Sequence, residues 1–114
     1  MMEAEVREID GITVIAPRGP LDVGAALDFR NLLTGPIAVQ GNKVLIDLSA
    51  VSLVDSSGVG VLVTAHRQAV AAGAAFAIAG AVGPVGRVFE MTRTNKLLSI
   101  HASVDDGLAS LRDA

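Results

Sequence analysis

The sequence predicts an α/β domain: a mixed, mostly parallel β-sheet with an antiparallel N-terminal hairpin and about four helices. Three observations carry this prediction. Asp10-Gly11 stands between two β-prone segments, a pair of residues that a tight hairpin turn favours. Lys43 to Leu48 is a nearly continuous run of branched apolar residues, as a strand covered on both faces requires. From there strand-like and helix-like periods alternate with short connections, the pattern of right-handed β-α-β crossovers in one sheet.

The elements follow in order. Val6 to Ile9 and Ile12 to Ala16 form the hairpin, and Pro17 with Gly19-Pro20 ends its second strand. Asp22 caps a first helix that carries Ala25, Ala26, Leu27, Phe29, Leu32 and Leu33 at helical spacing, and Gly35-Pro36 stops it. Lys43 to Leu48 is the central strand. From Gly58 an amphipathic helix sets Val59, Leu62, Val63, His66, Ala69 and Val70 on one stripe and Thr64, Arg67, Gln68 and Ala71 on the other, closing near Gly73. Ala75 to Ala79 is a buried strand, and Pro84 opens a helix with Val85, Val88 and Phe89. Leu97 to Ile100 is a further strand. Ser103 caps a last helix containing Leu108 and Leu111, with Asp105 and Asp106 in its first turn, where the helix dipole favours acids.

A chain of 114 residues with net charge -3 fits one domain, residues 1–114. Its 51% hydrophobic and 18% charged residues exclude a solvated, disordered body. With no cysteine and two histidines, disulfides, thiol nucleophiles and imidazole- or thiolate-based metal sites are excluded, and the sequence calls for no metal and no cofactor. An acidic balance without Trp or Tyr argues against nucleic acid as a partner. The first residues alternate charge with small apolar side chains and do not form a secretory signal, so a cytoplasmic location is expected. The uncharged stretch from Gln68 to Gly86 has about the length of a membrane span, but it is mostly Ala and Gly. Gly73, Gly80, Gly83 and Pro84 divide it into helix end, strand and turn, so burial in the core is expected and no membrane partner. No linker, repeat or charge block interrupts the chain.

The segment Asp47 to Gly60 carries what chemistry there is. It joins the central strand to the amphipathic helix, which places Asp55, Ser56 and Ser57 at a helix amino end beyond the carboxyl end of a parallel strand. Open α/β sheets put functional groups there, and unpaired helix amides favour an anion. A local role is also available, since Asp and Ser are preferred N-caps and Gly58 and Gly60 permit tight turns or close approach. Catalytic motifs are missing. Gly58-Val59-Gly60 leads to Val63 where a dinucleotide fingerprint has glycine, and neither a Gly-Lys-Ser/Thr loop nor Gly-x-Ser-x-Gly occurs. His66 reads as a packed residue and His101 as an edge residue, and nothing brings Asp22 and Asp47 to a common substrate. The chain is not expected to be an enzyme.

Val44-Leu45-Ile46-Asp47-Leu48-Ser49 followed by Val54-Asp55-Ser56-Ser57-Gly58-Val59-Gly60-Val61-Leu62 resembles the signature of the STAS domain, specifically of bacterial anti-sigma factor antagonists. Gly19-Pro20-Leu21-Asp22 matches that family's Gly-x-Leu-Asp turn, and Arg87 to Thr92 its third-helix segment. The resemblance implies a single STAS domain that binds an anti-sigma factor with serine kinase activity and frees a sigma factor. It implies Ser56 as the phosphorylation site, with Ser57 second, and a serine phosphatase that restores the free form. Asp22, Asp55, Ser56, Ser57, Gly58 and Gly60 are the implied partner-binding residues.

Two residues depart from the family pattern. Arg93, in Thr92-Arg93-Thr94-Asn95, occupies a position where glycine usually closes the helix, and Pro20 replaces an acidic residue and removes a donor. The alternative function is a STAS scaffold subunit of a stressosome-like or lipid-transport assembly without a phospho-switch. Weak nucleotide binding without catalysis is also left open. The chain is expected as a monomer or a weak homodimer: the Val6 to Ile9 strand offers an edge for pairing, and the charges of Glu5, Arg7 and Glu8 oppose it.

Overall fold

The computed structural model describes residues 2–114. Its elements are β1 (Glu3–Ile9), β2 (Ile12–Leu21), α1 (Ala26–Ile37), β3 (Lys43–Asp47), β4 (Val51–Val54), α2 (Ser56–Ala72), β5 (Ala75–Ala79), α3 (Gly83–Met91), a 3-10 turn (Thr94–Lys96), β6 (Ile100–His101) and α4 (Val104–Arg112). The sheet runs β1-β2-β3-β5-β6, and β4 pairs with the far end of β2. The β1–β2 pair is antiparallel and every other pair is parallel. The mixed sheet with its N-terminal hairpin and four helices is the architecture expected from the sequence.

Strand alternation divides the interior into two cores. Ile15, Val44, Ile46, Phe76 and Ile78 face α1, α2 and α3, meeting Phe29, Leu33, Leu62 and Phe89. Ile12, Val14, Leu45, Ala77 and Ala79 face the other way and are covered by Leu108 and Leu111 of α4. Because β3 is sandwiched by both cores, Val44, Leu45 and Ile46 are all fully buried, which is why its sequence is continuously apolar.

The hairpin turn is as expected, with Asp10 at φ 53° and Gly11 at φ 78°, the left-handed pair that a two-residue turn demands. The second strand corrects the sequence reading, because it continues past Ala16 to Leu21. Pro17 lies between the stretch of β2 that pairs with β3 and the stretch that pairs with β4, and Pro20 follows Gly19 at a register shift. Proline is tolerated at such gaps and bulges.

The first helix also differs. Asp22 is not its N-cap: Ala25 occupies that position, and Asp22 closes the preceding turn by accepting from Ala25 N at 3.2 Å. Nor does Gly35-Pro36 stop it. The helix runs one residue further to Ile37, which is buried, and Asn42 Nδ2 donates to the Pro36 carbonyl at 2.7 Å.

The segment between the central strand and α2 contains a strand of its own, β4, that the sequence reading passed over. The last strand is shorter and later than expected: Leu97 and Leu98 belong to the connection after the 3-10 turn, and only Ile100–His101 pair with β5. On α2, Ala65 rather than Val70 completes the buried stripe, and Val70 is exposed. Gly73 ends that helix in the left-handed region and Ser103 Oγ caps α4 by accepting from Asp106 N at 3.1 Å, both as expected.

Candidate functional site at the amino end of α2

The site is built where β2 and β4 end side by side. Leu21 pairs with Val54, so Asp22 and Asp55 leave neighbouring strands at the same edge of the sheet. Asp55 N donates to the Leu21 carbonyl at 3.2 Å, fastening the start of α2 to the end of β2. The strand preceding the site is therefore β4, not the central strand.

Asp55 has extended backbone and is the N-cap of α2. Its Oδ1 accepts from Ser57 N at 2.9 Å and from Gly58 N at 3.2 Å, satisfying two of the helix's orphan amides. Ser56 is the first helical residue and is exposed, whereas Ser57 is half-buried. Among the described residues nothing hydrogen-bonds the Ser56 hydroxyl. The two serines are thus distinguished by exposure, a difference that their adjacency in sequence conceals.

Gly58 and Gly60 have different reasons to be glycine. A Cβ on Gly58 would stand 2.5 Å from the Leu21 carbonyl oxygen and 3.2 Å from Val54 Cγ1, so Gly58 lets α2 approach its own sheet. A Cβ on Gly60 would meet nothing within 4 Å, and Gly60 is exposed. Local packing accounts for the first and leaves the second bare.

Ser56, Gly60, Thr64 and Arg67 form the exposed stripe of α2. Beside it Val23 and Leu27, 78% and 59% exposed, line a shallow cleft with Ala26, Arg30 and Val61. Sequence reasoning missed Val23 and Leu27. The available signal was an apolar residue directly after Asp22 and another four residues on, at a spacing that puts both on one side of a helix start.

The remaining candidates lie elsewhere. His66 is half-buried on α2, ten residues from Ser56 and so about 15 Å further along the axis. Its Nδ1 is buried, and among the described residues it has no hydrogen-bond partner. His101 is on the edge strand β6 with Nε2 2.9 Å from Ser99 Oγ. Asp47 Oδ1 accepts from Ser49 N at 2.9 Å and from Ser49 Oγ at 2.5 Å, building the turn into β4. Among the described residues neither histidine is hydrogen-bonded to an aspartate. Among the described residues no group of three or more His, Asp or Glu is placed to hold a metal ion, and no helix is long and apolar enough to cross a membrane.

Arg93 takes φ 58°, the left-handed conformation in which a helix-closing glycine commonly sits. The departure from the family pattern thus puts a side chain on a backbone conformation that glycine favours.

The family model of the STAS domain matches residues 3–107. The chain belongs to the STAS domain family. A relative from Thermotoga maritima that carries the name "Putative anti-sigma factor antagonist" is 24% identical over 105 residues, covering 91% of this chain and 93% of its own length. The crystal structure of an anti-sigma factor antagonist from Mycobacterium paratuberculosis superposes with a TM-score of 0.84 at 22% identity, over 98% of this chain and 95% of the other. The anti-sigma factor antagonist SpoIIAA in its unphosphorylated form gives 0.76 at 19% identity, over 98% of each chain. At these identities the structural likeness establishes the STAS fold. The Asp55-Ser56-Ser57-Gly58 turn of this STAS domain lies at the start of α2, inside the matched region.

Proposed function

We propose that the chain is a cytoplasmic anti-sigma factor antagonist whose unphosphorylated form binds an anti-sigma factor with serine kinase activity and frees a sigma factor. Phosphorylation of Ser56 by that partner ends the complex, and a serine phosphatase restores the binding form. The observation that carries this reading is the exposed Ser56 hydroxyl at the first position of α2, beside a carboxylate whose Oδ1 is already engaged by two backbone amides.

A phosphate brings about -1.5 to -2 charges to this point. Inside the protein the amide end of α2 accommodates that charge, so the domain stays folded. At the interface the same charge adds to Asp55 and Asp22 on one edge and repels an acidic or close-fitting partner surface. Val23 and Leu27 supply the apolar part of the contact, with Gly60 allowing the partner close to the α2 backbone. The chain contributes no catalytic group in this cycle, because the partner provides the kinase chemistry.

The test is phosphopeptide mass spectrometry on the protein from its own cells, with fragmentation that separates Ser56 from Ser57, comparing resting and stressed cultures. Variable occupancy at Ser56 is expected. Ser56→Ala should retain the kinase in a pull-down while losing the phosphate, and Ser56→Asp should release it. Unmodified serines in every condition would favour a STAS scaffold without a switch.

A further inference from the structure

β1 is the end strand of the sheet, and among the described residues no strand pairs with its outer side. The two-residue Asp10-Gly11 turn makes Ile9↔Ile12 a hydrogen-bonded pair. Along an antiparallel ladder bonded and non-bonded pairs alternate, so Arg7, Glu5 and Glu3 also spend their backbone groups on β2. The amides and carbonyls of Ala4, Val6 and Glu8 then point to the open edge. Val6 is 56% exposed there.

A strand that adds to this edge must bond to those three residues. For a second copy of β1 running antiparallel, the charges discriminate sharply among the registers that do so. Centring the pair on Ala4 sets Glu3 against Glu5, and pairing Ala4 with Val6 sets Glu5 against Glu5 at its centre although each Glu3 then faces an Arg7. Pairing Val6 with Glu8 sets Arg7 against Arg7, and centring on Glu8 sets that acid against itself. Centring on Val6 alone brings opposite charges together with no like-charged pair: Glu5 faces Arg7 of the second copy and Arg7 faces its Glu5. Both contacts fall at non-bonded positions, where cross-strand side chains come closest. The same face already gathers charge around Glu5, with Arg18 Nη2 at 3.3 Å and Arg7 Nε at 3.9 Å.

We propose that two copies of this chain pair through β1, antiparallel and centred on Val6, joining their sheets into one. Ala4, Val6 and Glu8 supply about six backbone hydrogen bonds across the two-fold axis, two at each bonded pair. The charges of Glu5 and Arg7, which would blunt an ordinary edge, here select a single register. The edge shares no residue with Asp55 to Gly60, so both switch surfaces stay open in the dimer and the inference stands apart from the proposed function.

Sedimentation equilibrium of the full chain tests it, together with cysteine trapping, which is clean because the chain contains no cysteine. A concentration-dependent dimer is expected. Arg7→Glu should raise its dissociation constant about tenfold, since both attractive pairs become repulsive, and adding Glu5→Arg to that variant should restore association. Val6→Cys should cross-link under mild oxidation, because paired Cα atoms about 5.5 Å apart suit a disulfide, and Arg7→Cys, off the axis, should not. Circular dichroism checks that each variant is folded. A chain that stays monomeric at every soluble concentration overturns the proposal. So does a dimer that is indifferent to Arg7→Glu and traps no better through Val6→Cys than through Arg7→Cys.

Discussion

Gly58 and Leu21 meet backbone to backbone: the place where a Gly58 side chain would begin is 2.5 Å from the Leu21 carbonyl oxygen, the atom that also accepts the Asp55 amide. Gly58→Ala must therefore move the start of α2 away from the end of β2. A loss of about 2–3 kcal/mol is expected, in the range of overpacked interiors, measured by urea unfolding. An alanine tolerated without cost would show that this end of the helix is free to shift.

Gly60→Ala should do the reverse. The added methyl meets open space on an exposed helical position, so the helix gains about 0.5–1 kcal/mol of propensity. Binding to the anti-sigma factor should weaken in the same variant, because the methyl lies on the proposed contact stripe. Thermal melts and a titration with the partner separate the two effects, and unchanged affinity would remove Gly60 from the interface.

Asp55→Ala deletes the side chain that satisfies Ser57 N and Gly58 N, and should cost about 1 kcal/mol, whereas Asp55→Asn keeps an acceptor oxygen and should cost less. Equal losses in the two variants would assign the effect to charge instead of the cap. Urea midpoints of both proteins decide it.

Arg93→Gly should stabilise the domain by about 0.5–1 kcal/mol, because a left-handed side-chain-bearing residue costs about 1–2 kcal/mol and glycine's extra chain entropy takes back part of the gain. Differential scanning calorimetry reads it as a raised Tm. A lowered Tm would show that the Arg93 side chain makes a contact worth more than the strain.

The sequence made the hairpin, the central strand, β5 and α4 legible because each rests on a local signal: Asp10-Gly11, a continuous apolar run, or the Ser103 cap. It concealed β4, where Ser52 and Leu53 are both exposed between buried Val51 and Val54, so neither alternation nor a continuous run is present. Pro17, Pro20 and Pro36 misled for a shared reason. Each lacks an amide hydrogen and carries a ring that fixes φ, and whether the chain tolerates this depends on tertiary surroundings, the pairing with β3 and β4 for the strand and the core that buries Ile37 for the helix. At the candidate site, the Asp-Ser-Ser-Gly string located the helix start. The contrast between exposed Ser56 and half-buried Ser57, and the apolar flank formed by Val23 and Leu27, depend on how the chain packs around the helix start, which the four-residue string does not encode.

β2 touches β1, β3 and β4, and its ten residues, at about 3.3 Å each, reach nearly the whole length of a molecule 30 Å long. One covalent strand thus connects the Asp10-Gly11 hairpin to the carbonyl that anchors α2. Its amide protons should be among the last to exchange with solvent, since freeing them requires the loss of pairing to three separate segments. A ligand seated on α2 would then deepen protection along this strand as far as the hairpin at the opposite end.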